Sequence, residues 1–153
     1  MYKRQATTIP YADSLKQLIR AALGSRTPSS VLIQTITDAH FEAVKSLLSE
    51  NPGFEEKIKL IGMHGHTILH APNTNATLQV GDGERLAKNI GINVVCDFRS
   101  ADVANGGQGA PLTPLYHTAL ARGLEKPLIV VNVGGIANQT WIGPDDNLSL
   151  INI

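Results

Sequence analysis

Asp97 stands directly after the apolar run Ile92 to Cys96. In open α/β sheets, the point where a strand gives way to its loop is where ligands gather. An ionised aspartate in such a mouth can act as a general base toward water or a hydroxyl within hydrogen-bond reach. Arg99 and Asp102 follow closely enough to tune it. The same carboxylate can instead cap a turn or pair with Arg99, and the residue types alone leave both roles open.

Two glycine-rich segments offer backbone amides to a ligand. Asn105-Gly106-Gly107-Gln108-Gly109-Ala110-Pro111 leads toward a helix expected after Pro114, so its amides could meet an anionic or hydroxyl-rich group near a helix N-terminus. It matches neither the phosphate-loop pattern with its Lys nor the dinucleotide fingerprint, and a plain turn explains it as well. Gly134-Gly135-Ile136-Ala137-Asn138 lies between two β-prone runs. A Gly-Gly pair there predicts a tight hairpin, because both positions can take positive φ, and bare backbone at its tip can approach phosphates.

His64, His66 and His70 form the third group. Three histidines raise the idea of a catalytic zinc with three protein ligands and one water, and with it a small metal hydrolase. The spacing argues against it. There is no HExxH pattern, and on a continuing strand His64 and His66 would point to opposite faces. A polar contact to a sugar suits His64 better. Trp141 is assigned to packing.

The elements that must position these groups follow from periodicity and punctuation. Leu15, Leu18, Ile19 and Ala22 predict a short amphipathic helix after Pro10, stopped by Gly24 and Pro28. A second helix is expected from Thr35 or Thr37, with Phe41, Val44, Leu47 and Leu48 on its buried face and Asn51-Pro52-Gly53 as its end. Short apolar runs then alternate with helical patterns: strands at Ile58 to Ile61, Thr77 to Val80 and Ile92 to Val95, and a helix from Gly83 to Ile90. After the Pro114 helix, which closes near Gly123, the nearly unbroken apolar run from Pro127 to Val133 reads as a central strand covered on both faces. Ile136 to Ile142 and Leu148 to Ile153 follow as strands, with a turn at Pro144 to Asn147.

Composition narrows the functions. Thirteen basic residues balance thirteen acidic ones without a Lys/Arg run, so neither nucleic acid nor an anionic membrane is an expected partner. The only cysteine, Cys96, excludes an intrachain disulfide and points to a reducing compartment, the cytoplasm. No signal-length or membrane-length apolar stretch is present.

Five segments occur in a fixed order: Ile61-Gly62-Met63-His64-Gly65-His66-Thr67, Leu78-Gln79-Val80-Gly81-Asp82, Val94-Val95-Cys96-Asp97-Phe98-Arg99, Gly106-Gly107-Gln108-Gly109-Ala110-Pro111-Leu112 and Asn132-Val133-Gly134-Gly135-Ile136-Ala137-Asn138. The series resembles that of the anhydro-N-acetylmuramic acid kinases. It does so closely over residues 57 to 143 and only in general character over the helical front third. The resemblance implies the superfamily of sugar kinases, Hsp70 and actin, in which two ribonuclease H-like lobes flank a cleft. The fold class expected is therefore α/β, a partial ribonuclease H-like sugar kinase fold. Residues 1–124 would be part of the first, sugar-side lobe, and residues 125–153 the start of the second, nucleotide-side lobe with its first hairpin.

The reaction that the resemblance implies is ATP-dependent opening of 1,6-anhydro-N-acetylmuramic acid to N-acetylmuramic acid 6-phosphate, in cell-wall recycling, with Mg²⁺ at the phosphates. Residue by residue, Asp97 of the Asp-Phe-Arg motif would activate the water. His64, Arg99 and Gln108 would line the sugar side, while Gly134, Gly135 and Asn138 would face the ATP phosphates. Departures from the family pattern accompany the matches. The family's Gly-Thr-Ser-x-Asp-Gly phosphate hairpin has no counterpart before Pro10, and its Asp-Thr-Gly-Pro-Gly-Asn segment would lie beyond Ile153. Truncation at both ends is thus expected. It sets two readings beside the kinase: half of a split enzyme completed by a second polypeptide or a homodimer, or an inactive remnant. His66 stands where the family usually has Gln, and Cys96 where it usually has Gly.

Overall fold

The computed structural model describes residues 6–133, 137–145 and 147–152. The chain divides into two compact units, residues 1–107 and 108–153.

In the first unit, α1 (Asp13–Ala22) buries Leu15 and Ile19, one turn apart. α2 (Ser30–Ser49) begins more than a turn before the expected Thr35, because Ser29 serves as its cap: the hydroxyl accepts the Leu32 N–H at 3.2 Å. Its buried face is Leu32, Ile36, Thr37 and Leu48. Phe41, Val44 and Leu47, expected there, are only half-buried.

The strands β1 (Leu60–Gly62) and β4 (Asn93–Val95) pair in parallel, Leu60 with Asn93 and Gly62 with Val95. A parallel pair needs a crossover. Here it holds an antiparallel hairpin, β2 (His66–Ala71) and β3 (Ala76–Val80), followed by helix α3 (Gly83–Ile90). β2 was not expected, since its two histidines draw attention away from the β-prone run Thr67-Ile68-Leu69. The hairpin contributes Ile68 and Val80 to a core shared with Leu15, Ile19, Leu32 and Ile36.

A buried hydroxyl joins α2 to α3. Thr37 Oγ1 donates to the Ile33 carbonyl at 2.7 Å and accepts the Asp82 N–H at 2.9 Å. Asp82 in turn caps α3 by accepting the Arg85 N–H at 2.9 Å, and Arg85 Nη2 pairs with Asp38 at 3.0 Å. The unit ends with an unexpected short helix, α4 (Ser100–Ala104).

In the second unit, α5 (Thr113–Leu120) packs on a three-stranded antiparallel sheet of β5 (Leu128–Val133), β6 (Ala137–Ile142) and β7 (Leu148–Asn152), in that spatial order. Val133 pairs with Ala137, which bears out the hairpin, although its tip at Gly134, Gly135 and Ile136 lies outside the described residues. β6, not the expected β5, is the central strand. Thr140 and Ile142 on β6 are buried, and Thr140 Oγ1 is 3.1 Å from His117 Nδ1 of α5. On β5, Ile129, Val131 and Val133 are exposed, so one of its faces is uncovered among the described residues.

Candidate functional site

The parallel pair sets the site. Gly62 is in register with Val95, and the Met63 N–H donates to the Val95 carbonyl at 2.8 Å, so the two chains leave the sheet side by side. Two residues further along each stand His64 and Asp97. Gly83 is what lets α3 lie close beneath: a Cβ there would come within 2.6 Å of Cys96 Sγ. The Cys96 side chain is therefore accommodated against the start of α3.

Asp97 has φ of 56°, in the left-handed region. Such a conformation costs on the order of 1–3 kcal/mol at a residue other than Gly, and it recurs where function constrains the backbone. Ser100, at the start of α4, donates its hydroxyl to Asp97 Oδ1. That contact holds the exposed carboxylate at the mouth of β4.

His64 connects this mouth to Arg99. Its Nδ1 lies 3.0 Å from the Gly65 carbonyl, which can only accept, so Nδ1 carries the proton. Nε2 then accepts from Arg99 Nε at 3.0 Å. Both ring nitrogens are engaged, which fixes the orientation of the ring. Gly65 makes the turn between His64 and β2: its φ is 71°, and a Cβ would strike the Val80 carbonyl at 2.6 Å.

His64 and Asp97 also line a recess of about 50 Å³, together with Met63, Gly65, Gln79 and Cys96. That volume suits water rather than a sugar ring. A larger cavity, about 510 Å³, lies elsewhere, between residues 9–15 and α2, and none of the expected site residues lines it.

The three histidines go separate ways. His70 Nδ1 is 3.2 Å from Thr77 Oγ1 across the hairpin. His66 lies beside Tyr11, with ring centroids 5.9 Å apart. Burial, and then electrostatic interaction with His40 and His64, pull the His66 pKa below its usual value. Among the described residues no three His, Cys, Asp or Glu side chains gather to hold a metal ion.

The glycine-rich loop is partly consumed by the fold. Gly106 N–H donates to the Val103 carbonyl at 3.1 Å and Gly107 N–H to the Asp102 carbonyl at 2.8 Å, so these two amides close α4 instead of facing a ligand. Gln108 is exposed and Asn138 half-buried on β6, both in the second unit. Gly134 and Gly135 lie outside the described residues. What the structure brings together is His64, Asp97 and Arg99, joined by Gln79 and Ser100, to which sequence reasoning assigned no role.

The family model for anhydro-N-acetylmuramic acid kinase matches residues 1–150. The chain belongs to that family. The match takes in the helical front third, where the motif series alone reaches only from residue 57 to 143. Curated anhydro-N-acetylmuramic acid kinases are similar throughout: one from Paramagnetospirillum magneticum is 49% identical over 143 residues, covering 94% of this chain and 40% of that relative. The Rhodospirillum rubrum kinase is 44% identical over 146 residues, 92% of this chain and 38% of the relative. That of Acidiphilium cryptum is 46% identical over 147 residues, 92% of this chain and 39% of the relative. The chain thus spans about two fifths of the length of these kinases.

Among the described residues no helix is long and apolar enough to cross a membrane.

Proposed function

We propose that the mouth where β1 and β4 end is the sugar side of an anhydro-N-acetylmuramic acid kinase site, with Asp97 as the general base. The observation that carries this reading is the parallel pairing of Gly62 with Val95, which delivers His64 and Asp97 to one place, with Arg99 bonded to His64. In the reaction, Asp97 takes a proton from a water whose oxygen bonds to the anomeric carbon. The bond from that carbon to O6 breaks, and O6 receives the γ-phosphoryl group of ATP, the second substrate. The step needs a base held in place rather than a covalent intermediate, and the backbone turn and the Ser100 hydroxyl hold this one. His64, braced by Arg99, would present a polar edge to the sugar hydroxyls.

The ribonuclease H-like lobes, with residues 1–124 on the sugar side and 125–153 on the nucleotide side, belong to the same reading, as do a cytoplasmic location and Gln108, Gly134, Gly135 and Asn138 as substrate and phosphate contacts. A second polypeptide, or a second copy of the chain, as partner at the phosphate side belongs to the same reading.

ATP-dependent phosphorylation of the anhydro sugar tests the proposal, with the chain alone and with a polypeptide carrying the rest of a relative's length. Asp97→Asn keeps the shape and the Ser100 contact but removes the base. Turnover should fall on the order of 10²–10⁴-fold. Turnover unchanged by the substitution would remove Asp97 from the chemistry, and a folded chain inactive in both arms would leave a sugar-binding remnant.

A further inference from the structure

Ser100 stands on a short but well-anchored helix. α4 has five residues, and Val103 pins it: the side chain is buried, and its N–H donates to the Arg99 carbonyl at 3.1 Å. The Gly106 and Gly107 amides close the far end on the Val103 and Asp102 carbonyls. Ser100 and Val103 are three residues apart and so share a face of the helix, which leaves Ser100 half-buried. Asp97 is the opposite case. It is exposed, in the loop after β4, and its backbone takes a left-handed φ of 56°. An exposed side chain of this kind samples several staggered rotamers unless a partner holds it. Among the described residues the Ser100 hydroxyl is the one hydrogen-bond partner of the carboxylate, and it engages Oδ1. No described residue donates to Oδ2.

We infer that Ser100 is a positioning residue: it tethers Oδ1 of Asp97, so that Oδ2 is the oxygen that takes the proton from water. The tether itself stands on the contact and the anchored helix; its use in catalysis rests on the kinase reading. The chemistry gives the two oxygens separate tasks. As the water oxygen bonds to the anomeric carbon, one water proton passes to Oδ2. The bond from that carbon to O6 breaks with its electron pair on O6, which bonds to the γ-phosphorus of ATP as ADP leaves. Once Oδ2 is protonated, Oδ1 is a carbonyl oxygen and still accepts from the Ser100 hydroxyl. The base therefore need not turn between its charged and neutral forms. A misplacement of about 1 Å can cost on the order of 10²-fold in rate, and that is what the tether prevents.

Two measurements on the full chain decide this. Ser100→Ala removes the hydroxyl and leaves a good helix former in place, whereas Ser100→Thr keeps the hydroxyl. The first measurement needs no turnover: in the isotopically labelled chain, three-bond couplings from the Asp97 carboxyl carbon to its own backbone nitrogen and carbonyl carbon report χ1. The expected result is one staggered rotamer in the native chain and Ser100→Thr, and averaging over several in Ser100→Ala. Averaged couplings in the native chain, or a single rotamer kept in Ser100→Ala, overturn the tether whatever the activity. The second is sugar kinetics in the arm that turns over. Ser100→Ala should lower kcat about tenfold or more with KM for the sugar unchanged, and Ser100→Thr should restore most of it. An unchanged kcat, or a rise in KM alone, would overturn the positioning role. A rotamer fixed by Ser100 in a chain with no turnover in either arm would refute the kinase reading and the use of the tether, while leaving the tether standing.

Discussion

Leu32, Ile36 and Val80 in the first unit are at most 2% exposed, whereas Ile129, Val131 and Val133 on β5 of the second are 54%, 57% and 78% exposed. All six are aliphatic, so the difference lies in what stands opposite them. In the first unit two helices and a hairpin close on one another, and the ends of β1 and β4 project from that closed core. In the second unit α5 covers one face of the sheet and, among the described residues, nothing covers the other. An apolar run shows that a face seeks cover; it does not show what the cover is. Groups that must be held to a fraction of an ångström are better placed on the closed unit, and His64, Asp97, Arg99 and Ser100 are all there.

Paired truncations put the comparison at risk most directly. Ile36→Ala should cost about 2–5 kcal/mol, by lost burial plus the cavity left behind. Val131→Ala should stay within about 0.5 kcal/mol, as at an exposed position. Urea unfolding of the two variants checks both, and equal losses would mean that β5 is covered in solution. A smaller effect tests how the closed unit is tied together. Thr37→Val keeps the volume but strips the acceptor from the Asp82 N–H and should cost about 1–3 kcal/mol, read in the same experiment.

The smallest effect concerns pH. The folded pKa of His66 lies below its unfolded value, because burial and then electrostatic interaction with His40 and His64 oppose its protonation. As pH falls from the ordinary histidine range toward that lowered value, the unfolded chain binds more protons than the folded one, so stability falls; above that range it does not change. His66→Gln removes this term. The loss of Tm between about pH 7.5 and about pH 5.5 should be smaller in the variant than in the native chain, and an identical loss in both would assign the acid sensitivity to other groups.

What the sequence disclosed follows from where local chemistry and tertiary packing agree. α3 runs from Gly83 to Ile90 as expected, because Asp82 caps one end and Gly91 the other. The position of Asp97 just beyond β4 was likewise readable from one apolar run and its end. The start of α2 was not, since apolar periodicity from residue 35 onward outweighed a single Ser29 cap. β2 was hidden because histidines at both ends of a short strand resemble a ligand set until their separate partners are seen. β5 reads as a central strand because an unbroken apolar run looks the same whether one face or both are covered. Ser100 carried no signal of its own: a serine after an Asp-Phe-Arg motif becomes informative only when the Asp97 turn is built.

Titration of the isotopically labelled chain with anhydro-N-acetylmuramic acid, followed through backbone amide shifts, tests the central claim without requiring turnover. Shifts concentrated at residues 62–65 and 95–100 are the predicted result. Saturable shifts confined to the large cavity between residues 9–15 and α2, or none at any sugar concentration in a folded chain, would contradict a sugar site at the ends of β1 and β4.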